Sequence, residues 1–125
     1  MAPLVLIVDD EQAICDSLAA FLEDDGMRTL VAHSGEEAVQ LVSDGLDVDV
    51  CVMDLRLPGI NGAQAILEIR ERSPEIHFIV HTGSASDKVV AELARTGLGD
   101  LPVFSKPVKD MGRLARTIQA LWTGR

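Results

Sequence analysis

Leu4-Val5-Leu6-Ile7-Val8-Asp9-Asp10-Glu11 decides the fold class of this chain. Five consecutive apolar residues, most of them branched, suit a strand buried on both faces better than an alternating edge strand. Such strands belong to parallel sheets with helices on either side. The run ends abruptly in three acids. Beyond them Ile14, Leu18, Phe21 and Leu22 recur at helical spacing, and Gly26 follows as a stop signal, so the first helix ends near Asp25.

The same strand-then-helix unit repeats along the chain. Residues 28–32 read as a second strand. Ser34-Gly35-Glu36-Glu37 has the pattern of a capping box in front of Ala38, Leu41 and Val42, with the helix running to about Asp44. Residues 48–53 are a third apolar run and deliver Asp54, and Pro58-Gly59 then marks a turn. A helix through Ile66 and Ile69 stops before Pro74, because the residue preceding a proline is biased away from helix. Residues 76–81 supply a fourth strand ending at Thr82. Ser86 is a candidate cap for a helix carrying Val89, Val90 and Leu93, with Gly97 at its end. Residues 101–104 form a short fifth strand before Ser105-Lys106-Pro107. Met111, Leu114, Ala115, Ile118, Leu121 and Trp122 then make the apolar stripe of a last helix, where core packing is the expected use of Met111 and Trp122. Five repeats of strand and helix, without a low-complexity linker, predict an α/β fold with a sheet covered on both faces.

Length and charge narrow the function. The 125 residues are expected to form one domain over 1–125. With 11 Lys plus Arg against 20 Asp plus Glu, the formal charge is −9, and a surface of that sign repels phosphate backbones, so direct nucleic-acid binding by this chain is not expected. Cys15 and Cys51 fall in runs that read as helix and buried strand, without metal-ligand spacing, and are expected to be core thiols. The amino-terminal run lacks a basic flank and meets acids too soon for a signal peptide or membrane span, so the chain is read as soluble and cytoplasmic. His33, His77 and His81 share no metal-ligand spacing and are read as strand or strand-end residues.

Asp9, Asp10, Asp54, Thr82 and Lys106 all fall where an apolar run ends and the next segment begins. In an open parallel sheet the carboxyl ends of the strands lie together, and ligands bind in the crevice outside them. Carboxylates a few ångström apart raise one another's pKa, so this cluster calls for a divalent cation, with Lys106 opposite. Taken singly, each residue also has a plain use: the two acids as helix caps, Thr82 and Asp54 at turns, Lys106 as a solvated charge. Their joint placement favours a phosphate-handling site.

Leu6-Ile7-Val8-Asp9-Asp10-Glu11, Val52-Met53-Asp54-Leu55-Arg56-Leu57-Pro58-Gly59-Ile60-Asn61-Gly62, Thr82-Gly83 and Lys106-Pro107, in that order, resemble the receiver domain of two-component response regulators over essentially the whole chain. The resemblance implies a flavodoxin-like, doubly wound (βα)5 fold with a five-stranded parallel sheet of order 2-1-3-4-5. It implies a signalling switch and not an enzyme acting on an external substrate. A histidine kinase or histidine phosphotransfer protein would donate a phosphoryl group to Asp54, and the modified domain would change its affinity for an output partner. Carried over by position, Asp10 is a direct Mg²⁺ ligand and Asp9 acts through water. Asp54 also faces the metal, and Arg56 lends its backbone carbonyl. Thr82 bonds the new phosphoryl oxygen, Lys106 pairs with its charge, and Pro107 follows through a cis bond.

Each role agrees with the chemistry of acyl phosphate formation, which rests on positioning and on cations that neutralise the phosphoryl oxygens. The alternative is an interaction module of the same fold that is never phosphorylated. A phosphatase with a nucleophilic aspartate commonly has a second acid two residues on, and here that residue is Arg56. The family often carries Tyr or Phe three residues before the lysine, whereas this chain has Val103, with Phe104 one further on. The family also commonly uses the face of the fourth helix, fifth strand and fifth helix for partners or dimers.

Overall fold

The computed structural model describes residues 2–83 and 87–123. Ten elements alternate along them: β1 (Leu4–Val8), α1 (Gln12–Asp24), β2 (Arg28–Ala32), α2 (Gly35–Ser43), β3 (Val50–Asp54), α3 (Gly62–Arg72), β4 (His77–Thr82), α4 (Asp87–Arg95), β5 (Val103–Ser105) and α5 (Met111–Thr123). The five strands form one parallel sheet in the order β2-β1-β3-β4-β5. This is the doubly wound flavodoxin-like arrangement expected from the sequence.

Side chains alternate across a strand, so each strand feeds two cores. Leu6, Val8, Cys51, Met53, Phe78 and Val80 pack with Ala38, Val42, Ile66, Ile69, Val89 and Leu93 of α2, α3 and α4. Val5, Ile7, Val50, Val52, Ile79 and Phe104 pack with Cys15, Leu18, Leu22, Leu114 and Ile118 of α1 and α5. A slip of one residue in any central strand would exchange these faces, so the register is strongly specified. That register also places the site. Asp9 and Asp54 continue the second face beyond Ile7 and Val52, while Thr82 continues the first beyond Val80.

Several boundaries differ from the sequence reading, each because a local hydrogen bond takes the chain out of the ladder. β3 begins at Val50, since Val48 N–H donates to Leu46 O at 3.2 Å in a turn. β4 begins at His77, since Ile76 N–H donates to Ser73 O at 3.2 Å. In β5 the strand is 103–105, because Leu101 N–H turns back to Leu98 O at 3.3 Å and Pro102 has no N–H to offer. Asp54 and Thr82 are thus the last residues of their strands. α2 ends at Ser43 with Asp44 as its cap residue.

Ser34 caps α2 as read, its side chain accepting from Glu37 N–H at 3.0 Å, but the returning Glu37 carboxylate takes the N–H of His33. Asp9 and Asp10 do not occupy the cap position of α1, which falls to Glu11 without a side-chain bond. Gly26 and Gly97 end α1 and α4 with φ of +88° and +80°. The reading of Ser86 as a cap lies outside the described residues. Val103 is half-buried on the first face, and Phe104 is buried on the second, with the Arg113 guanidinium 4.8 Å from its ring centre. An aromatic ring that could swing beside Thr82 is therefore missing from β5. Cys15 and Cys51 are free and buried, and burial pushes both thiols up, Cys15 to about 11.

Candidate functional site

β1 and β3 are neighbours and end level with one another, so Asp9, Asp10 and Asp54 meet at the carboxyl edge of the sheet. One carboxylate oxygen from each lies within 4.8 Å of the others. Asp9 and Asp54 are buried and Asp10 is exposed. Three carboxylates so placed repel one another, and a cation among them offsets that repulsion.

Lys106 supplies one such cation from the end of β5. Its Nζ stands 2.7 Å from Asp9 Oδ2, 3.0 Å from Asp54 Oδ2 and 3.6 Å from Glu11 Oε1. The backbone fixes its origin, because Lys106 N–H donates to Thr82 O at 2.9 Å and thereby ties β5 to the end of β4. The Lys106–Pro107 peptide bond is cis. Burial alone would pull the ammonium pKa down, but Asp9 and Asp54 more than offset it and raise it, so Lys106 is charged at neutral pH.

Asp54 is the mirror case. Burial raises its carboxyl pKa, opposed by hydrogen bonds from Lys106 and from the Arg56 N–H at 3.1 Å. Asp9 Oδ1 accepts from Glu11 N–H at 2.9 Å, while its buried Oδ2 pairs with the Lys106 ammonium at 2.7 Å. Three carboxylates with ligand atoms this close offer hard oxygen ligands of the kind Mg²⁺ prefers.

The turn after Asp54 is set by Gly62. Its N–H donates to Leu55 O at 3.0 Å, and a Cβ at this position would collide with the carbonyl of Asp54. Only glycine lets α3 begin against the strand that carries the carboxylate. Asn61 Oδ1 then caps α3 through Gln64 N–H at 2.9 Å. On the other side of the sheet edge, buried Thr82 lines a cavity of about 290 Å³ with Leu55, Asn61, Val89 and Leu93, and Arg56 and Lys88 stand at its wall.

The structure therefore brings Asp9, Asp10, Asp54 and Lys106 together, and sets Thr82 one strand away. Glu11 was not singled out by the sequence, although it extends the acidic run. His81 was read only as a strand residue. It is buried in the row that crosses the sheet from Asp54 to Phe104, and its Nε2 has no hydrogen-bond partner among the described residues. Ile14, Leu18, Pro107, Val108 and Met111 close a cavity of about 80 Å³ around it.

Burial, reinforced by the Lys106 charge and opposed by Asp9, lowers the His81 pKa from 6.5 to about 4. The folded protein thus resists protonating this imidazole while the unfolded chain does not. Its contribution to stability is present above pH 6.5 and is lost as pH falls toward 4. After allowance for solvent screening, that loss is about 2 kcal/mol. Denaturant unfolding of His81→Leu and the parent across this window should show the parent losing stability relative to the variant by that amount. Parallel profiles would show that the imidazole titrates alike in both states.

The chain has counterparts among known proteins. A family model described as the response regulator receiver domain matches residues 5–119. The Regulator of RpoS of Escherichia coli K12 is 31% identical over 116 residues, which are 93% of this chain and 34% of that protein. The chain thus spans about a third of the length of the curated relatives it matches. Among solved structures, the receiver domain of Francisella response regulator 1452 is 25% identical with a TM-score of 0.84, covering 98% of each chain. A CheY-like response regulator receiver domain protein from Methanospirillum hungatei JF-1 is 26% identical with a TM-score of 0.83, covering 97% of this chain and 94% of that one. The matched span and the sheet order agree, and this chain belongs to the response regulator receiver domain family.

Proposed function

We propose that this chain is the phosphoacceptor switch of a two-component phosphorelay, taking a phosphoryl group on Asp54 from a histidine kinase or a histidine phosphotransfer protein. The observation that carries the reading is the meeting of three carboxylates within 4.8 Å beside the ammonium of half-buried Lys106, at the carboxyl edge of a parallel sheet. A carboxylate oxygen of Asp54 attacks phosphorus as the bond from phosphorus to the donor nitrogen breaks. An acyl phosphate forms, and the imidazole leaves with the bonding electron pair. No outside substrate is turned over, and the product is the modified domain itself.

The residues present fit Mg²⁺. Asp10 would hold it directly, Asp9 through water, and Asp54 and the Arg56 carbonyl would complete the protein ligands. When bound, the ion supplies charge neutralisation at the phosphoryl oxygens. Lys106, held by Asp9 and Asp54 before transfer, is placed to pair with the new charge. The Thr82 hydroxyl is the donor for a phosphoryl oxygen. Val103 offers no ring to move with Thr82, and a β-branched side chain has few χ1 options. The change is therefore read out through Thr82, Lys106 and α4. The output partner and a dimer through α4, β5 and α5 belong to this reading as proposals.

Incubation with acetyl phosphate and Mg²⁺, followed by intact-mass measurement, is the direct test. A gain of one phosphoryl group, lost on alkaline treatment, is expected. No gain would favour the interaction module that is never modified.

Metal binding has its own consequence. Because the ion relieves repulsion among the acids in the folded state alone, millimolar-range Mg²⁺ should raise the unfolding temperature of the parent by mass action, and raise that of Asp10→Asn much less. Equal stabilisation of the two would place the ion elsewhere.

A further inference from the structure

The turn after Asp54 has a second hold, on a helix outside the acid cluster. Residues 55–62 are closed at their base by the Gly62 N–H donating to Leu55 O. At the tip, Ile60 N–H donates to Glu36 Oε2 at 3.2 Å, across 24 residues of sequence. Glu36 stands in the first turn of α2. The neighbouring Gly59 has φ of +79°, and a Cβ there would run into the Glu36 carboxylate. Under the tip lies buried Gly35, where a Cβ would stand 2.8 Å from Ile60 Cγ1 and 3.1 Å from Ile60 O. Two glycines thus clear the space in which the loop is pressed against α2.

The base of this contact is itself fixed. Ser34 caps the helix through Glu37 N–H, and Glu37 in turn holds the His33 N–H. A carboxylate in the first turn is also favoured by the partial positive charge of the helix N-terminus.

We infer that Glu36 is a positioning residue for the metal-facing loop. By holding Gly59 and Ile60 it sets the path of the chain back through Arg56 to Asp54, and so the place of the Arg56 carbonyl. This inference rests on the phosphoryl-transfer reading, which needs that carbonyl as a ligand, and it adds a determinant of metal affinity that lies outside the ligand set. Because the bond is exposed, its loss should loosen the loop and leave the fold intact.

The test uses the full chain as parent, Glu36→Ala and Glu36→Gln. In metal-free protein, amide exchange at Ile60 should quicken about 3- to 10-fold in Glu36→Ala, the range that one net hydrogen bond commands. Mg²⁺ affinity, read by calorimetric titration, should weaken by a similar factor of about 3 to 10. The thermal midpoint in chelator should stay within a few degrees of the parent. Glu36→Gln keeps an oxygen acceptor without the charge, and it should restore both the slow exchange and most of the Mg²⁺ affinity. Parent-like Mg²⁺ binding by Glu36→Ala would overturn the inference. So would equal weakening in Glu36→Ala and Glu36→Gln, since that result would mark a long-range charge effect. A parent that takes up no Mg²⁺ would sink the functional reading, and this role with it, whereas failure in the variants alone removes only Glu36.

Discussion

Asp54→Asn should take up no phosphoryl group from acetyl phosphate and Mg²⁺, while folding as well as the parent or better. The amide has nearly the shape of the carboxylate and keeps an oxygen for the Arg56 N–H, which approaches Oδ1 at 3.1 Å. It has no anionic oxygen to attack phosphorus, so the acyl phosphate cannot form. Loss should be complete, to the background of the mass measurement. Stability should move the other way. Burial raises the Asp54 pKa despite its bonds to Lys106 and Arg56, so the folded state disfavours the ionised form. A group whose folded pKa is raised contributes stability that is present below its unfolded value and lost as pH rises through the folded one. The neutral amide escapes that loss, so the variant should melt at or above the parent temperature at pH 7 in chelator. Lys106 retains Asp9 as a partner at 2.7 Å, so no buried charge is stranded. Undiminished labelling of Asp54→Asn, mapped by peptide mass to another residue such as Asp10, would remove Asp54 from the role.

Much of this arrangement is legible in the sequence. Residues 4–8 and 28–32 were bounded correctly because a continuous branched run between turn signals leaves little choice, and the order of units forced an α/β sheet. The strand order itself came from the resemblance, since periodicity does not say which strands are neighbours. Errors collected where side-chain patterning gave no warning of backbone hydrogen bonding. Leu101 and Val48 are apolar and packed, so they look like strand, yet their N–H groups close turns.

At the site, the residue types revealed the acids, but adjacent Asp9 and Asp10 look alike as letters. Period-two alternation from Val5 and Ile7 separates them, since it turns Asp9 inward with its carboxylate beside Lys106. The Lys106 pairing with Asp9 was not foreseen, because the resemblance assigned that lysine to the phosphoryl group. Contacts such as Glu36 with Ile60 and the Gly62 approach to Asp54 join distant segments. No spacing rule reports them.

The largest stability effect should follow from Lys106→Ala in the absence of metal. The side chain is largely buried, and its ammonium stands between two buried carboxylates, 2.7 Å from Asp9 and 3.0 Å from Asp54. Removing one partner of a buried pair typically costs about 3–5 kcal/mol, because the remaining charge keeps its desolvation penalty and loses its compensation. Here the site is at the sheet edge, where Asp10 is exposed and water can approach, so about 2–4 kcal/mol is expected at pH 7 in chelator.

Two further measurements separate this cause from simple loss of packing. Mg²⁺ brings positive charge back to the same carboxylates and should restore a large part of the lost stability, which it could not do for a void. Lowering pH should also narrow the gap. Without the ammonium, the Asp54 pKa rises further above its ordinary 3.8, and the variant gains stability relative to the parent as Asp54 protonates. Unfolding by denaturant at pH 7 and pH 5, with and without Mg²⁺, reads all of these. A deficit that ignores both metal and pH would mean that Lys106 acts through its methylene chain, and that charge balance among Asp9, Asp10 and Asp54 does not govern this edge of the sheet.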